Sequence, residues 1–267
     1  MDRRAADRVL EWALPRLGLR WQGFRRVRGQ VEKRLLRRCA ELGLPDLAAY
    51  RSYLEATPGE WAALVALARV TISRFARDRE VWTALVEEHL RQLVRERPAL
   101  RAWSAGCGAG EEPYTLAIAW RLAVAPAGAS LDLLASDAHE GQLARAALAT
   151  YPAGTLRELP EAWRRAAFDP VGEQVRLREP FRSDVRFVRH DLRDPPPEGD
   201  FDLILCRNAA FTYFAEPLQA RTAAALRGVL RPGGLLVLGL HEAPPAGFTR
   251  VGRSVYQAAL SRPSRTC

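Results

Sequence analysis

Ser104-Ala-Gly106-Cys-Gly108-Ala-Gly110-Glu111-Glu112-Pro113 follows the apolar run that starts at Leu100, and a helical apolar pattern begins at Glu112. A short strand running through glycines into a helix is the phosphate- and nucleotide-handling turn of open α/β sheets. Glycines at 106, 108 and 110 let the backbone turn tightly and let a ligand approach it closely, although any tight strand-to-helix turn favours glycine. In a dinucleotide fold the third glycine of G-x-G-x-x-G would stand at 111. Here Glu111 holds that place and Glu112 follows, so a pyrophosphate would meet two carboxylates. A phosphate-free, hydroxylated and cationic cofactor fits better, and S-adenosylmethionine is such a molecule.

The pattern on either side agrees. Strands are expected at Leu100–Ala105, Leu131–Ser136, Val185–Val188, Phe201–Cys206 and Gly234–Leu240. Helices fall between them, from Glu112, around Gly141–Thr150 and near Leu218–Leu230, which predicts a mostly parallel sheet covered on both faces. Phe248–Leu260 can close the sheet with an antiparallel pair. Residues 151–184, punctuated by Pro152, Pro160, Pro170 and Pro180, read as an inserted subdomain. Residues 1–90 carry helical apolar spacing and no strand alternation.

Two acids stand where strands end. Asp137 closes the second strand, where a carboxylate can accept the hydroxyls of an adenosine ribose or cap the helix that begins near His139. Asp191, after the next strand, is placed either for an adenine edge or for a turn.

The 267 residues, 48% apolar, make a globular chain with one expected active site. Apolar stretches such as Leu235–Leu240 are far below the ~20 residues of a membrane span. The charged start, Met1–Arg8, lacks the apolar run of a secretory signal, so a cytoplasmic location is expected. Cys39, Cys107, Cys206 and Cys267 are too scattered for a disulfide framework or a zinc site, so no metal is expected.

Nine basic residues against one acid lie between Arg16 and Arg38, nearly the whole excess of a chain with net charge +9. Phe24, Val27, Val31, Leu35 and Leu42 make one helical stripe ended by Gly43 and Pro45. At 100° per residue Arg26, Lys33 and Arg37 then fall within about 40° of one another on another face. The ridge is either a docking surface for an acidic partner or a solvated face of an arginine-rich protein. It has no interleaved aromatics for base stacking, which argues against nucleic acid.

Trp103-Ser-Ala-Gly-Cys-Gly-Ala-Gly-Glu-Glu-Pro-Tyr-Thr115, Ala135-Ser-Asp137, Phe201-Asp-Leu-Ile-Leu-Cys-Arg-Asn208 and Leu230-Arg-Pro-Gly-Gly234 resemble the successive motifs of the CheR family of chemotaxis-receptor glutamate methyltransferases. Val70-Thr-Ile-Ser-Arg-Phe-Ala-Arg77 is similar to that family's linker motif V-N-E-T-Y-F-F-R. The resemblance implies a class I methyltransferase (Rossmann-like) sheet in residues 91–267, with 151–184 inserted, and a small all-helical domain and linker in 1–90. It implies S-adenosylmethionine as cofactor, with S-adenosylhomocysteine as product. Carried over by position, Thr71, Ser73, Arg77, Gly106, Gly108, Glu112, Asp137, Asp191, Leu192, Arg207 and Asn208 are the cofactor-side residues, and Arg77 and Tyr213 the catalytic ones.

The implied acceptor is an acidic protein, a chemoreceptor cytoplasmic helix, docked by Arg26, Lys33 and Arg37. A glutamate carboxylate, with a reference pKa near ~4.3, is already a nucleophile at neutral pH and needs no base. An amine or hydroxyl acceptor would need one, with His190 or His241 as the candidates. Departures lie on the acceptor side. Thr71, Ser73 and Ala76 replace Asn, Thr and Phe, and Cys206-Arg-Asn-Ala-Ala-Phe-Thr-Tyr-Phe214 is one residue longer than the family's C-R-N-x-x-I-Y-F. A CheR-like enzyme acting on a small molecule or other non-receptor acceptor is the alternative, and an RNA methyltransferase a more distant one.

Overall fold

The computed structural model describes residues 3–68 and 73–258. It divides into two compact units, Met1–Ile72 with Thr212–Leu218, and Ser73–Phe211 with Gln219–Cys267.

In the second unit, strands β1 (Ala99–Ala105), β2 (Ser130–Asp137), β6 (Val185–Arg189), β7 (Phe201–Leu205), β8 (Leu230–Val237), β9 (Phe248–Gly252) and β10 (Val255–Ala258) form one sheet in the order β6-β2-β1-β7-β8-β10-β9. The first five are parallel and the last two join antiparallel. This is the class I methyltransferase sheet. β7 is buried at every position, as a central parallel strand must be when both faces are covered. The chain leaves β1 toward β2 on one side and returns to β7 on the other, so the carboxyl ends of β1 and β7 flank the crevice where such sheets bind ligands.

β8 begins at Leu230, four residues before the expected Gly234. The Pro232-Gly233-Gly234 stretch lies within the strand and is absorbed by a register irregularity opposite Phe201 and Leu203.

Strands β3 (Thr150–Pro152), β4 (Phe168–Val171) and β5 (Gln174–Leu177) form a separate antiparallel sheet, β3-β5-β4, with the Glu161–Ala167 helix between β3 and β4. Tyr151, Leu156, Leu159, Phe168 and Leu177 bury their side chains in the core shared with the main sheet.

The units part at residues 72 and 73, whereas helical periodicity alone places the boundary at 90. The helical stretch from Arg79 through Glu96 turns Val81, Trp82, Leu85, Val86, Leu90 and Leu93 into the sheet's core, so it belongs to the second unit. Helical spacing identifies a buried face but not the core that buries it.

The first unit packs the helices Arg3–Ala13, Arg28–Glu41, Leu47–Ala56 and Glu60–Ala68 around Leu10, Leu14, Val31, Leu35, Tyr50, Leu54 and Leu64. Asp46 caps the third of these by accepting the Ala49 N–H at 2.8 Å. The single helix expected from Phe24 to Leu42 is broken. A short turn of helix, Trp21–Phe24, ends at Arg25, and a regular helix starts only at Arg28. Within the short turn, a Cβ at Gly23 would stand 2.2 Å from the carbonyl oxygen of Thr212. The returning segment is stitched on by Arg20 N–H to Tyr213 O at 2.9 Å and Ala215 N–H to Gly18 O at 2.8 Å. Arg26 therefore sits in an exposed turn, and only Lys33 and Arg37 share the exposed face of the helix.

Candidate functional site

The glycine loop hangs from the end of β1. Gly106, Gly108 and Gly110 all have positive φ, at 85°, 57° and 93°. Gly106 shows why no side chain is tolerated, because a Cβ there would stand 2.9 Å from the Ala209 Cβ and 3.6 Å from Leu192 Cδ1. Loop, Leu192 and the turn after Arg207 thus converge on one spot. Asp137 accepts the Gly108 N–H through Oδ2 at 3.0 Å and the His139 N–H through Oδ1 at 2.9 Å. It ties the loop to the end of β2 and stays half-exposed, with acceptor capacity left on both oxygens. His139 holds the N-cap position of the helix that follows, and its side chain makes no capping hydrogen bond.

At the helix start the two glutamates face different neighbours. Glu111 is 4% exposed, and burial raises its carboxyl above the usual range against a hydrogen bond from Ser73. Its Oε2 is buried without a hydrogen-bond partner. Glu112 accepts from the Ser104 hydroxyl at 2.8 Å, with Arg207 3.6 Å from its other oxygen. Burial raises this carboxyl too, and the positive charges of Arg207 and Arg77 partly offset the rise.

Arg207, just past the end of β7, is only 7% exposed. Its Nη2 donates to the Arg77 carbonyl at 2.6 Å and to the Asp78 carboxylate at 3.0 Å, and the guanidinium lies over the Trp82 ring. Asn208, next in sequence, adopts φ +54° and gives its N–H to Glu242, which also takes the Gly239 N–H.

The described part of the linker, Ser73 to Asp78, is laid on this unit. Phe75 inserts edge-on against Tyr151 and Phe168, the Ala76 N–H donates to Thr115 Oγ1 at 3.0 Å, and Arg74 pairs with Glu158. Thr71 lies outside the described residues. Asp191 is held in a turn by Arg193, whose main-chain N–H and guanidinium both reach its carboxylate. Tyr213 packs in the helical unit against Phe24, ring centroids 4.9 Å apart.

His190 meets Pro195 O through Nε2 at 2.8 Å and packs its ring edge-on to Trp103, a structural setting, while His241 is exposed. Cys107 and Cys206 are buried with their thiols pushed well up by burial, which makes them inert packing groups. Sequence patterns pointed to neither Asp78, Trp82, Tyr151 nor Glu242, because what recruits them is contact across the fold and not spacing.

A bared glycine backbone, carboxylates at Glu111, Glu112 and Asp137, and an unpartnered buried oxygen suit a ligand with hydroxyls and positive charge. They would repel a phosphate.

Residues 71–255 match the family model described as the CheR methyltransferase SAM binding domain, and residues 27–67 match the CheR methyltransferase all-alpha domain. The chain belongs to the CheR methyltransferase family. It is 36% identical over 179 residues to a chemotaxis protein methyltransferase of Listeria innocua, covering 67% of each chain. It is 34% identical over 237 residues to chemotaxis protein methyltransferase 2 of Pseudomonas aeruginosa, covering 86% of this chain and 84% of that one. A probable biofilm formation methyltransferase of Pseudomonas putida is 34% identical over 219 residues, 79% of this chain and 51% of its own. This CheR-family chain is therefore an S-adenosylmethionine-dependent methyltransferase. No helix among the described residues is long and apolar enough to cross a membrane.

Proposed function

We propose that the protein transfers a methyl group to a glutamate side chain of an acidic protein helix, of the chemoreceptor type, giving a methyl ester. What supports this reading is the makeup of the catalytic end of the sheet. It carries the cationic Arg77 beside a buried Glu112–Arg207 pair, while both histidines that would serve as bases are otherwise disposed. An acceptor that needs only positioning fits such a site, and a carboxylate is that acceptor.

When bound, S-adenosylmethionine supplies an electrophilic methyl on a sulfonium sulfur. The glycine loop, Asp137 and Glu112 would hold it, Asp137 toward the ribose hydroxyls. Arg77 holds the acceptor carboxylate by charged hydrogen bonds. No proton would need to move: an acceptor carboxylate oxygen would take the methyl while the sulfur keeps the C–S electron pair as the thioether of S-adenosylhomocysteine, the two opposite charges cancelling. Lys33, Arg37 and Arg26 supply the basic surface toward an acidic partner.

Arg77→Ala tests the catalytic assignment. Loss of a charged hydrogen bond to the acceptor should lower methyl transfer by roughly 10- to 100-fold with S-adenosylhomocysteine affinity retained in calorimetry. Loss of cofactor affinity in step with activity would remove Arg77 from the acceptor.

A further inference from the structure

The motif containing Arg207 assigns it to the cofactor, but its contacts point elsewhere. Its side chain is 3% exposed, and one nitrogen, Nη2, grips both the carbonyl of Arg77 and the carboxylate of Asp78. Its other terminal nitrogen faces Glu112 at 3.6 Å. The segment it grips is strained, since Ala76 and Asp78, neither of them glycine, hold φ of +50° and +60°. Such a conformation persists only where neighbours over-determine it. Thr115 holds the Ala76 N–H, Glu158 takes the Asp78 N–H at 3.0 Å, and Arg207 holds the two groups between them and the next turn.

We propose that Arg207 is a positioning residue. It is a buried latch that fixes the backbone of Arg77 against the start of the cofactor-loop helix, so that the Arg77 guanidinium is delivered to the acceptor in one orientation. A guanidinium is required because its fork engages linker and Glu112 on separate nitrogens, whereas a lysine offers a single point charge. Trp82 stacks on the guanidinium at 5.4 Å and confines it to that plane. The inference rests on the acceptor role of Arg77 proposed above.

The test uses the full chain with Arg207→Met, Arg207→Lys and Asp78→Asn. It measures turnover with a chemoreceptor cytoplasmic fragment, calorimetric affinity for S-adenosylhomocysteine, and amide hydrogen exchange of the peptide covering residues 73–79. The latch predicts that Arg207→Met lowers kcat roughly 30-fold or more while product affinity changes less than about threefold. Exchange of the 73–79 peptide should speed up roughly tenfold, because its restraint is gone. Arg207→Lys should recover part of both, and Asp78→Asn, which leaves the Glu112 contact in place, should show the same two effects more mildly.

Weakened product affinity in proportion to kcat, with exchange unchanged, would make Arg207 a cofactor ligand and overturn the proposal. If Arg207→Met does not fold, Arg207→Lys and Asp78→Asn decide by the same criteria. Should the wild type esterify no glutamate, the functional reading falls by itself, and unchanged exchange in the variants would still refute the latch.

Discussion

Arg38 grips Glu60 with two parallel hydrogen bonds of 2.9 Å, from Nε and Nη2, inside the helical unit. The Tyr50 hydroxyl adds a third, also at 2.9 Å. Glu60 is the buried partner, its side chain 5% exposed against 30% for Arg38, so the energetic consequence belongs to the carboxylate. The Arg38 hydrogen bonds hold its carboxyl below the ordinary range, against the opposing cost of burial. A carboxyl whose folded pKa is depressed contributes stability that is complete above its unfolded pKa of ~4.3 and disappears as pH falls through the folded value. Glu60→Gln should therefore cost about 1.5–3 kcal/mol at pH 7, as loss of charged hydrogen bonds does. Its difference from wild type should shrink in acid. Denaturant melts at pH 7 and on the acid side of that range check both, and a constant difference would remove the linkage.

Asp137→Ala should weaken S-adenosylmethionine binding by roughly 1.5–3 kcal/mol, the worth of charge-assisted hydrogen bonds. Because Asp137 also holds the Gly108 and His139 N–H groups, a modest fall in Tm should accompany it. Calorimetry and thermal melts together decide. A lowered Tm with unchanged affinity would leave Asp137 a loop tie and nothing more.

Reversing Arg26, Lys33 and Arg37 to Glu should raise the acceptor KM and leave cofactor affinity unchanged, since surface charges steer encounter and are screened over about 8 Å at physiological salt. Arg37 is 3.8 Å from Glu41 and still 70% exposed, so an incoming acid can reach it. Wild-type turnover should fall with ionic strength while that of the triple variant stays nearly flat. Equal salt response in the two proteins would favour a small-molecule acceptor.

Much of this molecule was legible in its sequence because period and punctuation coincide with structure. The glycine run after Leu100, the acid closing β2 and the apolar runs of β6 and β7 all lie where local chemistry demands them. Three features were not legible, each for a physical reason. The apolar spacing Phe24-Val27-Val31 runs unchanged through a break in the helix at residues 25–27, because helical spacing of apolar residues does not require an unbroken helix. The stretch after Arg79 has the same periodicity as the N-terminal helices but is buried by another core. Arg207 and Asp78 are 129 positions apart, and no local pattern records that they meet.

Product chemistry tests the central claim most directly. The protein is incubated with methyl-labelled S-adenosylmethionine and a chemoreceptor cytoplasmic fragment, and a second fragment has its acceptor glutamates replaced by alanine. Glutamate esterification predicts label in the first fragment that mild base releases as volatile methanol, and none in the second. Label that resists base, or that appears equally in both fragments, would contradict glutamate esterification.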